Sequence, residues 1–111
     1  MSTLAIVLAV STVLGMASGQ ILFKLASGRG GLMEIFFSPI FWVAIVLYGL
    51  VTILWVLLLR EVDLSRAYPF LAATYVLVPI ASMLLLGEKL GWSYGLGVAF
   101  IIAGIVLTVR A

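Results

Sequence analysis

Few side chains in this 111-residue chain could do chemistry, and their types are narrow. It has no His and no Cys. Imidazole bases, thiol nucleophiles, disulfides and His/Cys zinc sites are therefore ruled out. The charged residues are Lys24, Arg29, Arg60, Arg66, Lys89 and Arg110 against Glu34, Glu61, Asp63 and Glu88. No nucleophile–base pair or metal cluster can be assembled from them, so no catalytic residue, resident metal or cofactor is expected. A net charge of +2 is too small for a nucleic-acid footprint. What remains is binding chemistry. Gln20 and Lys24 are four residues apart and share a helical face with Met16 and Thr12. Lys24 either snorkels to an interface or meets an anionic head group. Gln20 either bonds a neighbouring helix or faces a ligand. Tyr48, Thr52, Thr74, Tyr75 and Ser82 are further uncharged polar candidates. Arg60 and Arg66 flank a turn, where guanidinium groups suit phosphate.

The elements that hold these residues follow from composition. The chain is 66% hydrophobic and only 9% charged, with a mean hydropathy of +1.40. An ordinary soluble domain is roughly half apolar and about a quarter charged, so a monomeric soluble domain is excluded. The charges fall in clumps, leaving charge-free runs at residues 1–23, 35–59, 67–87 and 90–109. Crossing a bilayer takes about 20 helical residues, and each run is long enough. Backbone groups in lipid must pair within their own segment, so four transmembrane helices are expected, at about 3–24, 39–59, 67–87 and 91–109. Residues 1–23 lack a basic leading region and are long for a signal sequence, so a retained helix is expected. The connections are short, and the whole of 1–111 reads as one all-α membrane domain. Ser38-Pro39 reads as an N-cap followed by proline at the first helical position.

Sequence spacing also suggests how the helices meet. Ser93, Gly97, Gly104 and Thr108 form one stripe on the fourth helix, fit either for packing within the chain or for contact with a second subunit. Gly15 and Gly19 should let the first helix sit close to its neighbours. Pro79 removes a helical bond and frees the carbonyl of Tyr75, which makes it either a tolerated kink or a hinge at a cavity wall. Basic residues do not choose an orientation: Arg60, Arg66 and Arg110 on one side balance Lys24, Arg29 and Lys89 on the other. A chain that inserts both ways could pair antiparallel. Lys24 of one copy would then share a membrane side with Arg60 and Arg66 of the other.

Several segments resemble a known group. Residues 19–24 (GQILFK), Ala67-Tyr68-Pro69, residues 86–90 (LGEKL) and residues 97–104 (GVAFIIAG) appear in the order and spacing of the four-helix branch of the drug/metabolite transporter superfamily, which includes the small multidrug resistance exporters and is related to EamA-type proteins. The resemblance covers almost the whole chain. It implies a small multidrug resistance-like bundle whose fourth-helix glycines form a dimer contact. Tyr48 and Tyr68 match the tyrosines of the exporters' drug site. The exporters' essential glutamate is replaced by Met16, and their third-helix tryptophan by Leu71. The chain is closer to the flippase subunits that move aminoarabinose linked to undecaprenyl phosphate, which also lack the glutamate.

On this reading the chain is a transporter of the bacterial inner (cytoplasmic) membrane, flipping a polyprenyl-phosphate-linked sugar or similar anionic lipid. Its partner is an identical chain, in parallel or antiparallel orientation, or a paralogous subunit in a heterodimer. The expected binding residues are Gln20, Lys24, Tyr48, Arg66, Tyr68 and Tyr75, with Lys24 and Arg66 meeting phosphate. Two rival readings are an exporter with non-standard coupling and a non-transporting accessory subunit of a membrane enzyme.

Overall fold

The computed structural model describes residues 2–28 and 30–110; Arg29, counted above in the charge balance, lies outside them. Six helices follow in order: α1 (Thr3–Ser27), α2 (Leu32–Phe36), α3 (Pro39–Glu61), α4 (Leu64–Ala72), α5 (Thr74–Leu86) and α6 (Trp92–Arg110). α4 and α5 form one interrupted span, so four helical segments are long and apolar enough to cross a membrane: Thr3–Ser27, Pro39–Glu61, Leu64–Leu86 and Trp92–Arg110. Most large apolar side chains on them are exposed, as befits surfaces solvated by lipid.

Local chemistry sets the ends. The Ser2 hydroxyl accepts from the Ala5 N–H at 3.1 Å and starts α1. Ser38 and Pro39 occupy the cap and first position of α3, yet the Ser38 side chain makes no capping bond. Its hydroxyl is buried without a partner. The third span begins at Leu64, so Arg66 sits inside its first turn. α5 ends at Gly87, whose φ of +69° needs glycine, and the Glu88 N–H returns to the Ser82 carbonyl at 3.3 Å. The short α2 was not foreseen. Leu32, Met33, Phe36 and Phe37 are exposed on it or at its end, and the Trp42 indole N–H ties it to α3 by donating to the Phe36 carbonyl at 2.6 Å. That composition suits the head-group level of a bilayer.

α1 is the central element, packed against α3 and against the third span. Without a hydrophobic driving force in lipid, close approach depends on small residues. A Cβ on Gly15 would run into Val51, and one on Gly19 would lie 2.6 Å from the Tyr48 ring. The two glycines therefore do let α1 sit against its neighbour. Nearer the start of α1, Ala5 and Ala9 pack with Leu58 and Ala67 in the buried core, flanked by Trp55 and Phe70. α6 packs more peripherally, on α4 and α5, and none of its described residues is buried.

The third span breaks at Ala73, six residues before Pro79. Around it the Ala73 N–H bonds the Phe70 carbonyl at 3.1 Å and the Val76 N–H bonds the Ala73 carbonyl at 3.0 Å, both three residues back. The Thr74 hydroxyl donates to the Leu71 carbonyl at 2.7 Å. A side chain thus takes up a carbonyl that the tightened turn leaves over. α5 itself passes through Pro79 without interruption.

Candidate functional site

Gly19 is the starting point, because its missing side chain is filled by the Tyr48 ring. The ring also lies against Phe23, with centroids 5.4 Å apart. Held this way, the Tyr48 hydroxyl accepts from the Gln20 amide nitrogen at 2.8 Å. Sequence reading left Gln20 between an inter-helix bond and a ligand contact. The inter-helix bond is present, and Gln20 is still exposed. It lines a cavity of about 310 Å³ together with Thr74, Tyr75, Val78, Pro79 and Tyr94. Two expected binding residues, Gln20 and Tyr75, and the expected hinge Pro79 therefore meet at one place, with Tyr48 bonded to its edge. None of these side chains carries a formal charge.

Tyr68 lies apart from that cavity. Its ring packs edge-on against Trp55 at 6.1 Å. It lines a second cavity of about 420 Å³ with Ser65, Pro69, Gly104 and Thr108. The outer α1–α5 surface carries a separate, almost wholly apolar groove of about 580 Å³, lined by residues such as Leu14, Ile21, Leu77 and Leu84.

The basic residues divide between the two ends. Lys24 is exposed in the last turn of α1, one turn beyond Gln20, or about 6 Å along the axis. Arg66 is exposed at the other end, where its neighbour Ala67 packs with Ala5. There Arg66 lines a cleft with Arg60, Glu61 and Asp63. Ala5 and Lys24 are separated by about 28 Å of helix. One phosphate therefore cannot meet Lys24 and Arg66 of the same chain at once.

The fourth-helix stripe is not closely packed, though its Gly104 and Thr108 border the second cavity beside α4. Ser93, Gly97, Gly104 and Thr108 are exposed, and a Cβ on Gly97 or Gly104 would meet nothing within 4 Å. Within the chain, then, these glycines are not required for close packing. Sequence reasoning missed Trp55 and Tyr94. Trp55 falls two helical turns after Tyr48, on the same face, and that spacing could have identified it. Tyr94 had no local signal; only the packing of α6 beside α5 brings it to Gln20.

The chain is similar in sequence to three curated relatives. The chain is 48% identical over 65 residues to a protein of Yersinia pseudotuberculosis, a match covering 59% of this chain and 57% of the relative. A Yersinia pestis relative is 46% identical over the same length and the same shares. A Pseudomonas aeruginosa relative is 38% identical over 74 residues, covering 67% of this chain and 64% of the relative. All three are named "Probable 4-amino-4-deoxy-L-arabinose-phosphoundecaprenol flippase subunit ArnE". The matches thus span somewhat under two thirds of the relatives' length. No protein-family model matches the chain, and no solved structure matches it. With four membrane-crossing helices and relatives named as flippase subunits, the chain is a multi-pass membrane protein.

Proposed function

We propose that the chain is a flippase subunit that moves a polyprenyl-phosphate-linked aminosugar across the bacterial inner membrane, together with a second subunit. The observation that carries this reading is the uncharged polar cavity of Gln20, Tyr75, Pro79 and Tyr94, one helical turn from Lys24. A sugar head group needs hydrogen-bonding partners to leave water, and its phosphate needs a cation. The cavity and Lys24 offer these in sequence along α1. The spans hold no carboxylate between residues 35 and 59 or 67 and 87, which suits an anionic lipid and disfavours proton-coupled exchange of cations through a buried acid. The names of the relatives support the same cargo.

The loosely packed stripe on α6 and the division of basic residues support pairing. In an antiparallel pair, or beside a paralogous subunit of opposite orientation, Lys24 of one chain joins Arg60 and Arg66 of the other at each mouth. Phosphate would then meet a basic rim on either side of the membrane. Tyr68, its ring set against Trp55, lines the passage between the rims, and Pro79 serves as the wall of the cavity.

Native mass spectrometry of the gently solubilised protein tests this reading. A dimeric species retaining a polyprenyl-phosphate aminosugar supports it. Retention of bulk phospholipid alone, in the presence of added aminosugar lipid, counts against it.

A further inference from the structure

Pro79 has no N–H, so the carbonyl of Tyr75 has no donor from the next turn of α5. A bare carbonyl in hydrocarbon is unfavourable by several kcal/mol. It is tolerated where it faces protein or a cavity. Tyr75 and Pro79 both line the cavity that holds Gln20 and Tyr94. Two hydroxyls close in sequence are committed elsewhere. Thr74 donates to the Leu71 carbonyl at 2.7 Å, and Ser82 donates to the Pro79 carbonyl at 2.8 Å. On the facing helix, the Gln20 amide nitrogen is engaged by Tyr48, which leaves the Gln20 side-chain oxygen as a free acceptor. Beside the Tyr75 and Tyr94 hydroxyls, the cavity therefore offers these two acceptors and no carboxylate.

We infer that this cavity is a head-group site, in which the Tyr75 carbonyl and the Gln20 oxygen accept hydrogen bonds from the hydroxyl and amino groups of a lipid-linked sugar. The proline does not act here as a bend; it keeps one backbone acceptor open to the ligand. Neutral acceptors hold an amine or hydroxyl without trapping it, as a buried carboxylate would hold a cation. Lys24 lies one turn away, a distance that a glycosyl phosphate spans, so phosphate and sugar are recognised at neighbouring levels. This inference rests on the cargo proposed above and adds the groups that distinguish the sugar from the phosphate.

Pro79→Ala tests it, because alanine restores the N–H and gives the Tyr75 carbonyl its helical partner. The variant removes an acceptor while favouring the helix, so it folds. The readout is native mass spectrometry of the protein with equimolar undecaprenyl phosphate and its 4-amino-4-deoxy-arabinose-linked form. The wild type is expected to retain the sugar-linked form preferentially. Pro79→Ala is expected to lower that preference about five-fold, the size of one hydrogen bond, with undecaprenyl phosphate binding unchanged. Tyr94→Phe, which removes a hydroxyl without changing shape, is expected to lower it in the same direction. An unchanged preference in Pro79→Ala overturns the head-group site while leaving the flippase reading intact. Failure of the wild type to retain the sugar-linked lipid at all overturns both.

Discussion

Replacing Gly19 by alanine tests the packing that builds the site. The new Cβ would lie 2.6 Å from Tyr48 Cδ2 and 2.8 Å from Cε2, so the ring must move by close to an ångström to reach ordinary contact. Phe23, whose ring centroid is 5.4 Å from that of Tyr48, restricts that movement. Overpacking of this kind destabilises by about 1–3 kcal/mol. The helix propensity of alanine over glycine returns about 1 kcal/mol. The net expectation is a loss of about 1 kcal/mol, with the Gln20–Tyr48 bond broken. The sharper quantity is the coupling. In a Tyr48→Ala background the clash is gone, only the propensity gain remains, and Gly19→Ala becomes stabilising by about 1 kcal/mol. A double-mutant cycle should therefore give a coupling of about 2 kcal/mol. Unfolding by sodium dodecyl sulfate in mixed micelles measures all four variants. Equal effects of Gly19→Ala in both backgrounds would refute the close α1–α3 packing and the placement of Gln20 that depends on it.

Two further outcomes follow from the same geometry. Lys24→Ala and Arg66→Ala should each weaken binding of undecaprenyl phosphate by roughly ten-fold or more, the worth of a hydrogen bond to a charged group. Their unfolding midpoints should move by no more than about 0.5 kcal/mol because both side chains are exposed; lipid binding measured beside unfolding separates the two effects. Gly97→Leu with Gly104→Leu should abolish subunit association seen by sedimentation in detergent while leaving the monomer's helicity unchanged, since nothing in the chain lies within 4 Å of either added Cβ.

Much of the fold was legible because lipid imposes a simple rule. A charge-free run long enough to cross must be a helix, and four such runs are four spans. Gly15 and Gly19 were legible for the same reason, since small residues mark close approach where apolar burial cannot drive association. What stayed hidden depends on how elements meet. The break at Ala73 comes from local three-residue bonding and the Thr74 hydroxyl. The prolines on either side drew attention to themselves instead. α2 was hidden because five residues are too few for a periodic signal. The site divides in the same way. Gln20 and Lys24 share a helical face by spacing alone, and Tyr48 and Tyr68 stood out by resemblance. The meeting of Gln20 with Tyr75, Pro79 and Tyr94 required three helices to be placed in space.

The central claim is movement of a lipid-linked aminosugar, and its most direct measurement is a leaflet assay. Proteoliposomes would carry the chain with its partner subunit and undecaprenyl phosphate linked to 4-amino-4-deoxy-arabinose. A membrane-impermeant amine reagent then reports the sugar exposed outside. The account predicts that labelling proceeds beyond the outer-leaflet fraction to near completion, and that Pro79→Ala slows it. Labelling that stops at the outer-leaflet fraction, as in protein-free vesicles, would contradict it.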